Sequence, residues 1–593
     1  MSKQGFNRRD FLRYSAMGFG AAVVSIGLPG CDFSSDDDKP QAIAASFNHG
    51  VASGDPLHDR VILWTRVTPE REGDVEVSWQ VALDEAFSQL ITSGSAVTNA
   101  ARDYTLKVDA AGLSAGTTYY YRFAVGDRQS PVGTTRTLPE GALASLTLAL
   151  FSCSNYPAGH FHAYADAAAH GAIDAAVHVG DYIYEYGRGG YASEQAAELG
   201  REVLPAGDLV SLDDYRQRYA QYRSDANLQA AHARMPFIVV WDDHEVANDT
   251  WREGAENHDD SQGDFDARRQ AAFQAYFEWL PLRPAREGDN ETIYRSFQFG
   301  DLVALHMLDT RQIGRDLQLD YATYMDPTTG AFNGAAFTAD VSASNRSILG
   351  TDQLGWLQAA LTGNSATWQV LGQQVVMGRM LLPAAIATQQ MSIADYAELG
   401  ALAQLAARAQ AGDPTLTADQ LAYLAANAAR LTPEVLALLQ LPAIPYNLDA
   451  WDGYAYEREV VLQTAQAANA NLVVLSGDTH NSWGINLTLA DGTPVGVEFA
   501  GTSVSSPGLE YYLNLDASSI AATEAAITGL VPDLQYCNLL DRGYLLVHFT
   551  PEAARAEWRH TSSVKQASYS LQTNRGQQAQ MLAGERQLQL ING

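Results

Sequence analysis

Residues 175–187, AAVHVGDYIYEYG, decide the fold, because an apolar run of strand length leads directly into a polar cluster. Five other runs have the same apolar character and length, and helical or irregular segments separate them. They cover residues 146–151, 237–240, 302–308, 370–376 and 472–475. Continuous apolar strands are typical of sheets buried on both faces. The sequence therefore predicts an α/β core in which helices flank the sheets.

Four of these strands end in clusters that contain Cys, Asp, Tyr or His. Each cluster alone is weak evidence, since Gly-Asp often forms a turn and a strand-end Cys is often a small buried apolar residue. Side chains beyond the carboxyl ends of strands, however, gather at one edge of an α/β sheet. Together the clusters predict a metal site. They are SCSN (152–155), GDYIY (180–184), WDDHE (241–245) and SGDTH (476–480).

The donor types in these clusters suit two kinds of cation. A thiolate, a phenolate and an imidazole around a shared carboxylate suit a hard, high-charge cation such as Fe(III). The surplus carboxylates suit a neighbouring ion that prefers oxygen, such as Ca²⁺. We therefore expect two kinds of cation side by side.

Residues 46–138 have a different texture, with short runs that alternate apolar and polar residues, such as 61–67, 75–81 and 117–125. Period-two alternation with Trp and Tyr at strand centres predicts a small fibronectin-like all-β sandwich, and Leu113 six residues before Tyr119 fits a corner of that fold. Residues 139–593 are the predicted catalytic domain, with an Ala/Leu-rich helical insertion over 380–445.

The N-terminus carries an export signal. NRRDFLR (7–13) and the apolar Gly/Ala-rich stretch after it predict a twin-arginine signal peptide over residues 1–31, handled by the twin-arginine translocase. LPGC (28–31) resembles a lipobox, in which Cys31 would be acylated. The alternative is an ordinary signal peptidase substrate. An acidic linker over 32–45 follows, and we expect a periplasmic, lipid-anchored or secreted protein.

Composition excludes some classes of function. The formal net charge of -31 and the pI near 4.6 oppose a nucleic-acid-binding surface, which needs a basic footprint. There are 3 cysteines, Cys31, Cys153 and Cys537, too few for a disulfide framework in an exported chain of 593 residues. Cys537 lies far from every cluster, and we predict a buried free thiol there.

The order of the clusters resembles the metallophosphoesterase pattern of the purple acid phosphatases, and more closely its PhoD-type alkaline phosphatase variant. That variant has Cys first, Asp-His-Glu third and Asp-x-His last. FNHGVASGDP (47–56), LDTRQ (308–312) and WDGY (451–454) also resemble that family. The similarity covers residues 47–558, with the helical insertion as the main departure. It implies a metallophosphoesterase-type β-sandwich core flanked by helices.

The resemblance also implies two groups of metal ligands. Four residues would bind Fe(III): Cys153, Asp181, Tyr184 and His480. Asp181 would bridge to Ca²⁺, which Asp243 and Asp478 would hold further. Additional calcium ligands remain open among Asp242, Asn248 and Asp249.

Two residues are candidates for catalysis without metal binding. His244 matches the position that in this superfamily touches phosphate, where it would stabilise charge or protonate the leaving oxygen. The alternative is a structural His bonded to a backbone carbonyl. Arg311 is a candidate phosphate clamp, and a salt bridge with Asp309 is the alternative. His160 and His162 are weaker candidates.

These residues predict an exported metal-dependent phosphoesterase that hydrolyses phosphate monoesters, diesters or both through attack of a metal-bound hydroxide. One alternative is a phospholipase D-like phosphodiesterase. Another is a non-catalytic calcium-binding surface lipoprotein. The insertion over 380–445 is either a lid over the pocket or a surface hairpin without contact to the site.

Overall fold

The computed structural model describes residues 43–591. The predicted signal peptide, Cys31 and the linker up to residue 42 lie outside these described residues. In the described part, no helix combines the length and apolar character needed to cross a membrane.

The N-terminal part of the chain is all-β, as the alternating pattern predicted. Its strands are β1 (Ala45–Ser46), β2 (Val51–Gly54), β3 (Arg60–Arg66), β4 (Thr68–Pro69), β5 (Val75–Ala82), β6 (Leu90–Thr98), β7 (Thr105–Ala111), β8 (Thr118–Val125), β9 (Arg128–Gln129) and β10 (Gly133–Arg136). A sheet in the order β10-β8-β5-β6 packs on β2, β3 and β7 around Leu63, Val77 and Phe123. The Tyr119 hydroxyl accepts a hydrogen bond from the Ser114 N–H at 2.8 Å, at the predicted corner.

The strands that follow build the core. They are β11 (Leu146–Phe151), β12 (Ala175–His178), β13 (Phe237–Val239), β14 (Arg295–Phe299), β15 (Val303–Met307), β16 (Trp368–Gly372), β17 (Leu381–Pro383), β18 (Ala443–Pro445), β19 (Leu472–Ser476), β20 (Ser482–Thr488), β21 (Pro494–Ala500), β22 (Leu534–Asn538), β23 (Arg542–Phe549), β24 (Ala553–Thr561), β25 (Gln577–Leu582) and β26 (Gln589–Ile591). All six predicted core strands are present, with ends shifted by a few residues.

Two large sheets form the central sandwich. One has ten strands in the order β26-β25-β24-β23-β11-β12-β13-β2-β3-β7, and the other has seven in the order β14-β15-β16-β19-β21-β20-β22. Leu148 and Val177 of the first sheet and Leu305, Val473 and Phe499 of the second share one buried apolar cluster. This arrangement confirms the predicted sandwich core.

The N-terminal strands extend the ten-stranded sheet, a junction that the sequence did not predict. β2 pairs in parallel with β13 through Gly54 and Phe237. A Cβ at Gly54 would lie 2.2 Å from the Pro281 carbonyl oxygen and 2.5 Å from that of Phe237, so the junction requires glycine. The N-terminal sandwich and the core therefore share a sheet.

Helices cover the outer faces of the sandwich. They are α1 (His162–Ala169), α2 (Ala196–Leu199), α3 (Leu212–Arg223), α4 (Ala226–Arg234), α5 (Phe265–Trp279), α6 (Gly334–Val341), α7 (Thr351–Gly363), α8 (Ala384–Ala387), α9 (Ile393–Gln410), α10 (Ala418–Asn427), α11 (Pro433–Leu439), α12 (Ala455–Ala467), α13 (Leu509–Tyr512) and α14 (Ile520–Leu530). Short 3-10 segments cover Ala100–Arg102, Tyr156–Ala158, Asp260–Gln262, Tyr321–Tyr324, Ala428–Arg430 and Trp451–Tyr454. Two helices, α7 and α12, pack on the seven-stranded sheet. Four others pack into the buried apolar cluster that the two sheets share, namely α1, α3, α4 and α5.

The Ala/Leu-rich stretch forms a helical excursion on a two-stranded stem. β17 and β18 pair antiparallel, and α8 to α11 lie between them. Thr417 begins α10 with a capping box, and Thr432 with Pro433 begins α11. No residue of α10 or α11 is buried, whereas α9 contacts α14 of the core.

Candidate metal centre

The four polar clusters lie together, at the point where β11, β12 and β13 of one sheet and β19 of the other end. Backbone hydrogen bonds link the first two clusters, because the Cys153 N–H donates to Gly180 O at 3.2 Å and the Ser154 N–H donates to Asp181 O at 2.8 Å. The strand ends of both sheets lie together here, so residues that are far apart in the sequence meet in one site.

The turns after these strands place four candidate ligands in the left-handed backbone region. The φ angles are 60° at Cys153, 54° at Asp181, 62° at Asp478 and 61° at His480. This region is unfavourable for residues other than glycine, and such residues concentrate at functional sites, where the surrounding structure imposes the conformation. Four of them around one cluster indicate that the turns are built to direct these side chains.

The four residues predicted to bind iron are brought together. Donor atoms of Cys153, Asp181 and His480 all lie within 4.8 Å of one another. The Tyr184 hydroxyl lies 2.8 Å from Asp181 Oδ2 and 3.2 Å from His480 Nε2. A single ion at this position would reach a thiol, a carboxylate, a phenol and an imidazole.

Two further donor groups adjoin the first. One contains Asp181, Asp243 and His244, and the other contains Asp242, Asp243 and Asp478, each with donor atoms within 4.8 Å of one another. Asp181 belongs to the first two groups and Asp243 to the last two. Asp181, the carboxylate predicted to bridge two ions, is therefore one of two residues that adjacent donor groups share, and it is the one that links the Cys153 and His480 group to the others.

Three residues remain open as additional calcium ligands. Asp242 belongs to one of the donor groups, and Asn248 and Asp249 lie beside them. The Asp249 N–H donates to Asp243 Oδ2 at 2.7 Å. The Asn248 side-chain amide donates to Glu256 at 2.6 Å. Asp242 is therefore better placed than Asn248 to contribute a ligand.

Hydrogen bonding and charge show that this cluster fits cations. Asp181 Oδ1, Asp242 Oδ2 and Asp243 Oδ1 are buried without a hydrogen-bond partner among residues 43–591. Burial raises the pKa of Asp242 and Asp478 well above the usual range, with further upward contributions from neighbouring carboxylates. Unpaired buried carboxylate oxygens are costly unless a proton or a metal ion compensates them.

Glu245, which sequence reasoning did not single out, holds two of the turns. Its carboxylate accepts hydrogen bonds from the backbone N–H groups of Asp181 at 3.0 Å, of Tyr182 at 2.5 Å and of Asp242 at 2.7 Å. Burial, followed by the charge of Asp181, raises the pKa of Glu245 to about 8. The side chain ties the second cluster to the third, so it positions Asp181 and Asp242.

Residues outside the predicted motifs contact His480 at its Nδ1 side. Its Nδ1 lies 2.7 Å from the Pro507 carbonyl oxygen, and the Tyr191 hydroxyl lies 3.1 Å from the same nitrogen. A ring N–H that donates to a carbonyl leaves the other nitrogen with its lone pair, the tautomer that metal-ligating histidines use. Nε2 of His480 faces Asp181 at 3.9 Å.

His244 pairs with a carboxylate rather than with a backbone carbonyl. Its Nδ1 lies 2.7 Å from Glu185 Oε2, and its ring stacks on Tyr184 at a centroid distance of 4.2 Å. Burial opposes the charged ring, but the charges of Asp243, Glu185 and Asp181 outweigh it and raise the pKa of His244 well above its usual value. The structure therefore places an imidazole that pairs with a carboxylate beside the donor groups.

The Arg311 guanidinium lies among the carboxylates of the cluster. The side chain is fully buried, and its three nitrogens donate to Asp242, to Asp449 at 2.7 Å and to Asp478 at 2.8 Å. Asp309 instead accepts from the Arg311 backbone N–H at 2.9 Å. In the structure Arg311 is a buried countercharge for these carboxylates rather than a partner of the Asp309 side chain, and its role as a phosphate clamp stays a prediction. Asp449 brings the C-terminal flank of the insertion to the site.

We expect Arg311→Met to lower the free energy of unfolding of the metal-depleted protein by about 3–5 kcal/mol, because several buried carboxylates lose their countercharge. Urea denaturation measures the loss. The matched control is Arg252→Met, because Arg252 is 46% exposed in its pair with Asp316 and such surface pairs contribute up to about 1 kcal/mol. Equal losses in the two variants would contradict the countercharge role.

The weaker candidates lie elsewhere. His162 Nε2 lies 2.8 Å from the Gln566 carbonyl oxygen, and its ring stacks on Tyr569. His160 packs beside it at a centroid distance of 5.5 Å. Cys537 is a buried free thiol, as predicted. These three residues take no part in the donor groups of the described chain.

The sandwich core and the polar clusters at its strand ends define a phosphoric ester hydrolase of the metallophosphoesterase type. Comparison with known proteins makes this specific. The family model of the PhoD-like phosphatase matches residues 148–558, and that of its N-terminal domain matches residues 33–139. The chain belongs to the PhoD-like phosphatase family.

Individual relatives agree with this assignment. Alkaline phosphatase D of Bacillus subtilis (strain 168) is 33% identical over 587 residues, which cover 96% of this chain and 86% of the relative. A solved structure described as "Structure of PhoD" superposes with a TM-score of 0.72 at 31% identity and covers 92% of each chain. The similarity therefore extends over nearly the whole chain.

Proposed function

We propose that this chain is an exported phosphatase that uses Fe(III) and Ca²⁺ to hydrolyse phosphate monoesters, diesters or both. The observation that carries the proposal is the sharing of Asp181 between two adjacent donor groups of different chemistry. One group has sulfur, phenol and imidazole donors, and its neighbours are rich in carboxylates. This difference suits an iron ion next to calcium.

The proposed ligands of Fe(III) are Cys153, Asp181, Tyr184 and His480, and those of Ca²⁺ are Asp181, Asp243 and Asp478, with Asp242 as an addition. When bound, such ions supply Lewis-acid polarisation of phosphoryl oxygens and make a coordinated water more acidic. Burial and the charge of Asp181 raise the pKa of the Cys153 thiol. A bound cation would favour the thiolate, since metal binding releases protons from its ligands.

The protein groups around these positions have separable tasks in the proposed reaction. Glu185 holds the His244 ring, which would donate a proton to the leaving oxygen or stabilise the charge that develops on phosphate. The Pro507 carbonyl oxygen fixes the tautomer and orientation of His480, and it also accepts a hydrogen bond from the Tyr191 hydroxyl. Arg311 limits the repulsion among Asp242, Asp449 and Asp478.

Parallel assays of a chromogenic phosphate monoester and diester, with and without calcium chelation, test the proposal. We expect turnover of both esters and its loss on chelation. A folded, metal-replete protein that releases no product from either ester would contradict the proposed hydrolysis. It would favour the alternative of a non-catalytic calcium-binding lipoprotein. Turnover of the diester alone would favour the phospholipase D-like alternative.

Tyr184→Phe tests the iron assignment. A tyrosinate bound to Fe(III) absorbs visible light, so we expect the purified protein to be coloured and the variant to lose that absorption band. Absorption spectroscopy with elemental analysis gives both readouts. The control is Tyr191→Phe, which removes a hydroxyl from the far side of His480 and should keep the band. An active but colourless protein would remove iron from the proposal, and a band unchanged in Tyr184→Phe would remove Tyr184 from the proposed iron ligands.

Export by the twin-arginine translocase is supported by Arg8 and Arg9 and by the nature of the centre. Its candidate ligands run from residue 153 to residue 480, so the centre assembles only on a folded chain. We expect Arg8→Lys with Arg9→Lys to retain the protein in the cytoplasm, measured by cell fractionation. Normal export of this variant would favour the general secretory route.

A further inference from the structure

A continuous series of aromatic rings leads from the candidate metal centre to the surface. His244 stacks on Tyr184, Tyr184 lies 6.3 Å from Tyr191, and Tyr191 lies 6.1 Å from Tyr512 with the two planes only 8° apart. Exposure rises along the series, from 1% at Tyr184 to 64% at Tyr512. The rings therefore form a path between the candidate metal centre and solvent.

The outer end of this path is a fixed platform. Tyr511 stands edge-on to both Tyr191 and Tyr512, and its hydroxyl donates to Glu194 at 2.6 Å. α13, which carries Tyr511 and Tyr512, is tied down by an ion pair between Glu510 and Arg542. The platform rings thus have defined orientations although they are exposed.

The platform is also coupled to the centre itself. The Leu509 N–H at the start of α13 donates to Asn481, the residue after His480, at 3.1 Å. Tyr191, on which Tyr512 stacks, contacts Nδ1 of His480 through its hydroxyl. Single exposed aromatic residues are common on protein surfaces and need no ligand to explain them. Here one exposed tyrosine stacks on Tyr191 and the other stands edge-on to it, and the Tyr191 hydroxyl itself contacts a candidate metal ligand.

We propose that Tyr512, with Tyr191 and Tyr511 beneath it, forms a subsite that binds a planar aromatic ring in the leaving group of the phosphate ester, as a nucleoside phosphate presents. The exposed tyrosine face would stack with a base, and stacking accepts any base because each has a π-face. The inference rests on the proposed function, since the ester phosphate must lie at the metal centre for its leaving group to reach Tyr512.

The test compares adenosine 5'-monophosphate with ribose 5-phosphate, because both have the same ribose 5'-oxygen as leaving atom and differ in the base. We expect the wild-type kcat/KM for the nucleotide to exceed that for the sugar phosphate by about tenfold or more, within the range measured for base stacking on aromatic residues. Tyr512→Ala should bring this ratio close to one, and Tyr512→Phe should preserve it. Tyr456→Ala is the matched control, because Tyr456 is 46% exposed on α12.

Three outcomes would overturn the subsite: a wild-type ratio near one, a ratio that survives Tyr512→Ala, or an equal loss for both substrates in that variant. The last would mean that Tyr512 supports the centre or contacts the ribose rather than the base. Failure of the proposed function gives a different result, in which the wild-type protein releases phosphate from no ester, including a small chromogenic one.

Discussion

Asp181→Asn is expected to abolish phosphate release and to deplete both kinds of metal ion. Asp181 is shared by the Cys153 and His480 group and by the Asp243 group, so loss of its charge weakens two ion positions at once. Asparagine has the same shape and tolerates left-handed backbone better than most residues, so the φ of 54° at this position should persist. The variant therefore tests charge with little change in conformation.

Because bound ions contribute several kcal/mol to phosphoryl transfer and each 1.36 kcal/mol is a factor of ten, we expect kcat/KM to fall by about a thousandfold or more. Phosphate release and elemental analysis on the same sample measure the two effects. Asp213→Asn is the control, since the Asp213 side chain is 93% exposed on α3. A folded Asp181→Asn variant with wild-type turnover would contradict a shared bridging carboxylate.

His244→Ala is expected to lower kcat by about 100- to 10,000-fold, the range of a positioned acid or base, while iron and calcium contents stay near those of the wild type. The loss should be larger for an alkyl ester than for 4-nitrophenyl phosphate, because a nitrophenolate leaves without needing a proton. Steady-state kinetics on the two esters measure this difference. His162→Ala, which removes a histidine bonded to a distant carbonyl, is the control.

Loss of metal with activity in His244→Ala would make this residue a ligand rather than a proton donor, as its place in the Asp181 and Asp243 group also allows. Glu185→Gln separates the two roles further. It leaves the His244 ring in place but removes the charge that holds it 2.7 Å away. We expect a smaller loss of kcat than in His244→Ala. An unchanged kcat in Glu185→Gln would mean that Glu185 does not position the His244 ring for catalysis.

The candidate ligands could be predicted because buried strands are easy to recognise in the sequence, and the residues that follow such strands lie at one edge of the sheet. Cys153 and Asp181 follow neighbouring parallel strands, which forces their side chains to one edge. Their partners could not be predicted from spacing. Glu185 lies 59 residues before His244, and Tyr191 lies 289 residues before His480, with no motif to link either pair.

Arg311 shows the limit of a motif. The LDTRQ stretch located the residue at the site, but its partner Asp449 is 138 residues further along the chain and follows the insertion. The motif suggested a phosphate clamp, which stays a prediction, but it did not indicate the contacts of the guanidinium with three carboxylates. The extension of the ten-stranded sheet by β2 could not be predicted from the sequence either, because it depends on the close approach of Gly54 to Phe237 and Pro281.

Metal reconstitution tests the two-ion account most directly. The protein is stripped of metal by chelation, checked by elemental analysis, and refilled with Fe(III) alone, with Ca²⁺ alone or with both, and phosphate release from 4-nitrophenyl phosphate is then measured. The account predicts that turnover returns to the wild-type level only when both ions are restored. Full turnover in the stripped protein, or after refilling with one kind of ion, would contradict it.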